Sequence, residues 1–489
     1  MTKRRFILAL VVLCLMQAVG LKVQAIEDDD LFKPVSVHDG SELSVLDCVA
    51  VAFKNSPIIK RQKYNLDLAK SNVGIAKSQY FPVINAGVGF YNENNSDSNF
   101  YTAHYRELPS VGVSVNKLVW NFGKTTAYIK MEEFYKIGAE YEFMDSLCNT
   151  LFDVKLKYYA LLKAQAMLQV AQNNLQINER FVKLAQENNN KPDVKTAELN
   201  LSEAKVKLIE AQNEYKNAKI DLNNAMYLTS QPDYLIKTTH TFAYNDDFAY
   251  PVNRGMQYSF APMRFSFPLD KAVEIAYDNS PDLNILISTK QAMEQSLAFI
   301  KKSYFPDLTA NAGYGFNNTN QTSNNSFKVG VNLSSSVNIM ELRHNIKGAE
   351  AQLNIADNEI ELFKKNLYFE VKKALNNVEK TENQIPTAKL EVEQSIENLK
   401  LVEEQYQIKK LNYIALQDAR KDYNDALNKY IKSMYDYNIA LIQVEMTMHY
   451  HIVDIHHKSE HAVHYHSDEL IKHLNEVLGC DEKDAIKKK

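Results

Sequence analysis

Asn55-Ser56-Pro57, then Tyr80-Phe81-Pro82 and Ala86-Gly87-Val88-Gly89-Phe90, form the stretch that decides the fold, because the chain carries it twice. Asn279-Ser280-Pro281 and Tyr304-Phe305-Pro306 repeat the first two motifs at a single displacement of 224 residues (281 − 57 and 306 − 82). Ala312-Gly313-Tyr314-Gly315-Phe316 follows as the third. Motifs kept in order and at one spacing mark an internal duplication. Pro57 and Pro281 fit the start of a helix, where a missing N–H costs nothing. Pro82 and Pro306 end helices and start strands. Each copy therefore reads as a short helix, a longer helix, two strands, a very long helix and a return helix.

The strand segments alternate with period two. Ile84, Ala86, Val88 and Phe90 oppose Asn85, Gly87 and Gly89; Val111, Val113, Val115 and Val119 oppose Gly112, Ser114 and Asn116. In the second copy Leu308, Ala310, Ala312, Tyr314 and Phe316 share one face, as do Phe327, Val329, Val331 and Leu333. An apolar face backed by small and polar residues suits a barrel wall between lipid and water. Asn92 to Asn99 and Asn317 to Asn325 read as the polar loops of two hairpins. Four strands cannot close a barrel, for which about eight are the practical minimum. The wall must then be shared between copies of the chain.

The return helices carry heptad seams. Val194, Ala197, Leu201, Ala204, Leu208, Ala211, Tyr215, Ala218, Leu222 and Ala225 form the first; Leu416, Ala419, Tyr423, Ala426, Tyr430, Ser433, Tyr437, Ala440 and Val444 form the second. Large residues alternate with Ala or Ser, which lets neighbouring helices approach closely. An outgoing helix of roughly 60 to 65 residues would reach about 90–100 Å, enough to bridge a deep aqueous space.

The N-terminus reads as an export signal. Lys3, Arg4 and Arg5 precede an apolar segment from Phe6 to Val19, and Val23-Gln24-Ala25 offers small residues for cleavage. Cys14 lies within the apolar segment behind the bulky Leu13, a poor site for lipidation. Cys48, Cys148 and Cys480, an odd and scattered set, do not form a disulfide framework. A net charge of −4 with 24% charged residues gives no reason to expect nucleic acid as a partner. No Gly-rich phosphate loop, HExxH or nucleophile elbow is present, so the chain reads as no enzyme and calls for no cofactor.

The ordered, duplicated motifs, strand pairs and long coiled coils resemble the TolC-like outer-membrane efflux protein family over about residues 43 to 446. The resemblance implies a membrane α+β fold: a homotrimeric, 12-stranded β-barrel with four strands per protomer, continuous with a periplasmic α-helical coiled-coil barrel. It further implies a passive exit duct in the cell outer membrane, serving a tripartite efflux or type I secretion system. A periplasmic adaptor protein and an inner-membrane transporter would be its partners, with outer-membrane lipid around the barrel. The alternative is a periplasmic coiled-coil adaptor or scaffold without a pore. An adaptor normally carries one helical hairpin inserted between halves of β-domains, and two complete copies favour the duct.

On this reading residues 1–25 are the signal peptide and 26–42 an N-terminal extension. The first repeat covers 43–228, with strands about 83–93 and 109–120 and helices about 124–189 and 193–227. A connector spans 229–267. The second repeat covers 268–446, with strands about 307–317 and 326–340 and helices about 342–410 and 413–446. Residues 447–489 form a His-rich tail. The resemblance also implies a periplasmic gate at the hairpin tips, with Asp418 as an acidic ring and Asp193 and Tyr406 as a link between hairpins. Ala415, Lys409 and Leu411 depart from the family's pattern of a further acidic residue, a turn Gly and a link-forming Arg. In the tail, His457 and His461 share a helical face and His464 and His466 a strand face, a weak donor set for a divalent metal.

Overall fold

The computed structural model describes residues 35–92, 107–187, 191–236, 267–318, 323–408 and 410–449. The expected signal peptide, both hairpin loop tips, most of the connector and the tail beyond His449 lie outside the described residues.

In the first copy, β1 (Glu42–Leu43) leads into α1 (Val45–Asn55), α2 (Pro57–Ser78), β2 (Val83–Asn92), β3 (Glu107–Trp120), α3 (Lys124–Glu187) and α4 (Lys191–Ala225). After β4 (Leu235–Ile236) the second copy repeats the order with α5 (Leu269–Asn279), α6 (Pro281–Lys302), β5 (Asp307–Asn318), β6 (Ser323–Ser334), α7 (Ile339–Gln407) and α8 (Tyr413–Met448). The duplicated Ser-Pro does the same work twice. Ser56 Oγ accepts from the Ile59 N–H and Ser280 Oγ from the Leu283 N–H, both at 3.3 Å. The proline behind each serine fills the first helical position. Both helices then run 22 residues.

Several boundaries differ from the sequence reading by a few residues, β6 beginning at Ser323 inside the expected loop, and two of them have a plain local cause. The last strand ends at Ser334 rather than near 340, because Asn338 caps α7, accepting from the Glu341 N–H at 3.3 Å. The last helix continues to Met448, two residues into the expected tail, and ends on His449 in a left-handed conformation (φ 49°).

The four long strands form one antiparallel sheet in the order β2-β3-β5-β6. The central join brings the copies together, with Val113 opposite Tyr314 and Val115 opposite Ala312. Among the described residues, no strand pairs with the outer edges of β2 and β6. One face is apolar and exposed, including Ile84, Val88, Val113, Phe327, Val329 and Val331. The other carries Asn85, Ser114, Asn311 and the glycines, and Gly330 there lies so close to the Asn311 amide that an added Cβ would sit 3.0 Å from it.

Beneath the sheet run the 64-residue α3 and the 69-residue α7, about 100 Å each at 1.5 Å per residue. Near the sheet, α2 and α6 pack on α3, and α6 also packs on α7; further away α4 covers α3 and α8 covers α7. Where α3, α4 and α8 meet the first short helix, a core of Cys48, Phe53, Tyr158, Leu161, Leu222 and Ile431 joins α1, α3, α4 and α8. β1 and β4 add a short parallel pair, and the Tyr158 hydroxyl donates to the Leu43 carbonyl at 3.3 Å. Among the described residues no helix is long and apolar enough to cross a membrane.

Candidate functional site

At the end remote from the sheet, the two hairpins meet through their seams. Phe181, Ala185 and Ala197 of the first copy pack on Leu399, Tyr413, Leu416 and Ala419 of the second. The return helix α8 starts here because Asn412 Oδ1 accepts from the Ala415 N–H at 3.0 Å. Tyr413, fully buried, lies 6.1 Å from the Phe181 ring and 6.4 Å from the Tyr406 ring between centroids.

The expected gate residues share this end of the molecule. Tyr406 is half-buried, its ring edge-on to Tyr413. Asp418 is exposed on the first turns of α8 and lines a cavity of about 620 Å³ between the hairpins. Asp193 belongs to α4, but its side chain lies outside the described residues.

The polar links that hold the hairpins together come from residues the sequence reading did not single out. The Arg420 guanidinium sits 3.6 Å above the Phe181 ring of α3 and pairs with Glu403 of α7 at 2.5 Å. Asn174 Oδ1 accepts from Asn424 at 2.9 Å and from Asn178 at 3.0 Å. Nearer the centre, Lys155 pairs with Glu445 at 2.8 Å with both side chains buried, and Lys163 with Asp436 at 2.8 Å. Four of these contacts run from α3 to α8: Phe181 with Arg420, Asn174 with Asn424, Lys155 with Glu445 and Lys163 with Asp436. One signal was legible: Arg420 is the last arginine of the chain and directly follows a seam alanine. The partners, as far as 290 positions away in sequence, were not.

A titratable cluster lies beside the central core. His449 Nε2 is 4.0 Å from Asp145 Oδ1. Burial pushes the Asp145 carboxyl up to about 6, helped by the like charge of Asp282 and opposed by a hydrogen bond from Asn149. Burial also lowers the His449 imidazole, an effect that Asp282 opposes. The Cys148 thiol, pushed up to about 11 by burial, and Cys48, pushed up to about 12, are unreactive at neutral pH. Among the described residues no group of three or more His, Cys, Asp or Glu is placed to hold a metal ion. His457, His461, His464 and His466 lie outside them.

A sheet with one apolar face joined to helices of this length is the architecture of an outer-membrane channel protomer. The outer membrane efflux protein family model matches residues 49–226 and 272–447, and the chain belongs to that family. The two matched segments are the two copies. No curated protein matches the chain by sequence. Among solved structures, CusC, described as forming a transmembrane channel, is 15% identical over 85% of this chain and 95% of its own, with a TM-score of 0.70. The Campylobacter jejuni CmeC outer membrane channel is 14% identical over 83% of this chain and 85% of its own, TM-score 0.67. The Neisseria gonorrhoeae MtrE outer membrane channel, in its open state, is 12% identical over 86% and 94%, TM-score 0.66. At such identities the likeness establishes the fold. The family is one of outer-membrane efflux conduits rather than enzymes.

Proposed function

We propose that three copies of this chain form the exit duct of a tripartite efflux or type I secretion system, passing substrate across periplasm and outer membrane. The observation that carries it is the four-stranded sheet with open edges on β2 and β6 and an exposed apolar face. Unpaired edge groups cannot be left in lipid, and three such sheets make twelve strands, enough to close a barrel. The helices support the same assembly. Leu199, Val206 and Ile220 on α4, and Ile355, Leu362 and Phe369 on α7, are exposed at multiples of seven. Stripes of that spacing pack against neighbouring helices, here those of adjacent protomers. The duct is passive: a periplasmic adaptor docks its helical barrel and an inner-membrane transporter supplies the energy and selects the cargo. An N-terminal signal exports the chain.

The gate stands at the hairpin tips. Asp418, repeated three times around the axis, concentrates negative potential at the mouth and favours cations. Asp193 and Tyr406 link the hairpins in the closed state, and Arg420 with Glu403 and Phe181 reinforces them. Outer-membrane fractionation with single-channel conductance tests the reading. A trimer that conducts in planar bilayers supports it, and a soluble, non-conducting protein overturns it.

A further inference from the structure

The register of β3 breaks just before the strand ends. Leu118 is opposite Thr309, but Trp120 is opposite Leu308, so Val119 is an extra, bulged residue. Antiparallel partners point to the same side of a sheet. Trp120 therefore shares the apolar face of Leu308 and Leu333, and Lys117, opposite Ala310, shares it too. In an unbroken strand, residues 117 and 120 would point to opposite sides. The bulge brings Trp120 onto the apolar line that Lys117 already shares by alternation, so a lysine and a tryptophan stand there together.

Both side chains are exposed, Trp120 at 58%. Trp120 stands edge-on to Phe122 at 6.2 Å, Phe122 stacks on Phe305 at 5.0 Å, and Phe305 meets Tyr304 at 6.0 Å. Phe122 takes a left-handed backbone (φ 54°) with its ring 42% exposed. That conformation is one a non-glycine side chain adopts only at a cost. Just beyond, Lys124 is tied to Asp307 and to the Phe305 carbonyl, and Lys302 donates to the Gly123 carbonyl at 3.3 Å. The apolar face ends at this line and charged helices begin. From Val111 to Trp120 the strand rises about 30 Å, which at a barrel tilt of 35–45° covers roughly 21–25 Å of hydrocarbon.

We propose that Lys117 and Trp120 hold the phosphate-bearing headgroup of a phospholipid in the periplasmic leaflet and so fix the depth of the barrel. The indole lies at the level of the headgroups, where its apolar body and N–H are both satisfied. Lys117, two residue pairs deeper in the hydrocarbon, extends its stem along the wall and brings its ammonium down to the phosphate. The assignment rests on the channel reading, and its test separates the two.

Trp120 is the sole tryptophan of the chain, so the emission of the full-length protein reports it alone. The protein is reconstituted into phosphatidylcholine vesicles whose acyl chains are brominated at either shallow or deep carbons, and floated on a density gradient. Shallow bromines should quench about twofold more than deep ones, and aqueous iodide weakly, as for a ring at the interface. Lys117→Gln should lower the shallow-to-deep ratio to about one, whereas Lys117→Arg should keep it. In vesicles of a neutral, phosphate-free lipid, wild type and Lys117→Gln should behave alike; a difference that persists there overturns the phosphate contact. Floated protein whose Trp120 is quenched by iodide and not by bromolipid overturns the anchor and leaves the channel standing. Protein that fails to float overturns the channel reading, and the anchor with it.

Discussion

The two return helices come from one duplicated unit and carry the same small-and-large seam, yet they are held very differently. α4 packs on α3 and leaves Leu199, Val206, Ile209 and Ile220 exposed. α8 buries Ile431, Met434, Tyr437, Leu441 and Val444, and it is tied to α3 through Lys155–Glu445, Lys163–Asp436, Asn174–Asn424 and Arg420 over Phe181. The difference shows how a duplication divides labour. One return helix leaves an apolar face exposed, and the other fastens the two copies to each other. On the proposed function, a gate at the tips works against the polar ties of α8, and α4 offers its exposed face to the ring.

The sharpest way to break this asymmetry is at the buried pair. Lys155→Met leaves Glu445 buried without its cation and should cost about 3–5 kcal/mol in chemical denaturation, whereas Lys155→Met with Glu445→Leu should recover most of it. Equal losses in the single and double variants would mean that the pair does not fasten α8.

The cluster between the copies gives a pH test. In the folded protein Asp145, pushed up to about 6 from an ordinary 3.8, holds a proton that the unfolded chain has already released. Folding stability then falls as pH rises from about 4 to about 6 and loses no more from this group above that window. His449, lowered by burial, acts in the opposite sense, adding stability as pH rises towards its ordinary 6.5. Asp145→Asn should remove the Asp145 loss, which amounts to at most about 3 kcal/mol at pH 7. Denaturation across pH checks the change of slope.

On the free face of α4, Val206→Asp should leave protomer secondary structure intact and shift the trimer–monomer balance at least about tenfold towards monomer, since it buries a charge against a neighbour. Analytical ultracentrifugation in detergent reads this; an unchanged trimer would reassign the face. Arg420→Gln should cost about 1–2 kcal/mol through the lost contact with Phe181 and raise closed-state conductance. Last come Asp193→Ala and Tyr406→Phe, which should raise closed-state conductance, Tyr406→Phe keeping the ring that packs on Tyr413. No change in either conductance would count against that link.

Much of this was open to reading in one dimension. Ser56-Pro57 and Ser280-Pro281 announce helix starts because a hydroxyl and a fixed φ act on the next three residues. The strand faces follow from alternation, and both hairpin seams from heptads. The tips follow from the resemblance alone, and the contact of Tyr406 with Tyr413 is a feature of the tertiary structure. Arg420, Glu403 and Phe181 escaped because their meeting depends on how two hairpins lie side by side. Lys155 and Glu445 look like ordinary charges on helix flanks until burial pairs them.

The sequence by itself determined what is local and periodic: the duplication, the caps, the strand faces, the lengths of the helices, and the need for more than one chain to close a four-stranded wall. These rest on forces acting within a few residues. Only the tertiary structure decided the order β2-β3-β5-β6, the bulge at Val119 that turns Trp120 outward, and the choice of α8 as the fastened helix. Each depends on which surfaces meet across some two hundred residues or more. A pattern that repeats identically in both copies cannot say which of them will be buried.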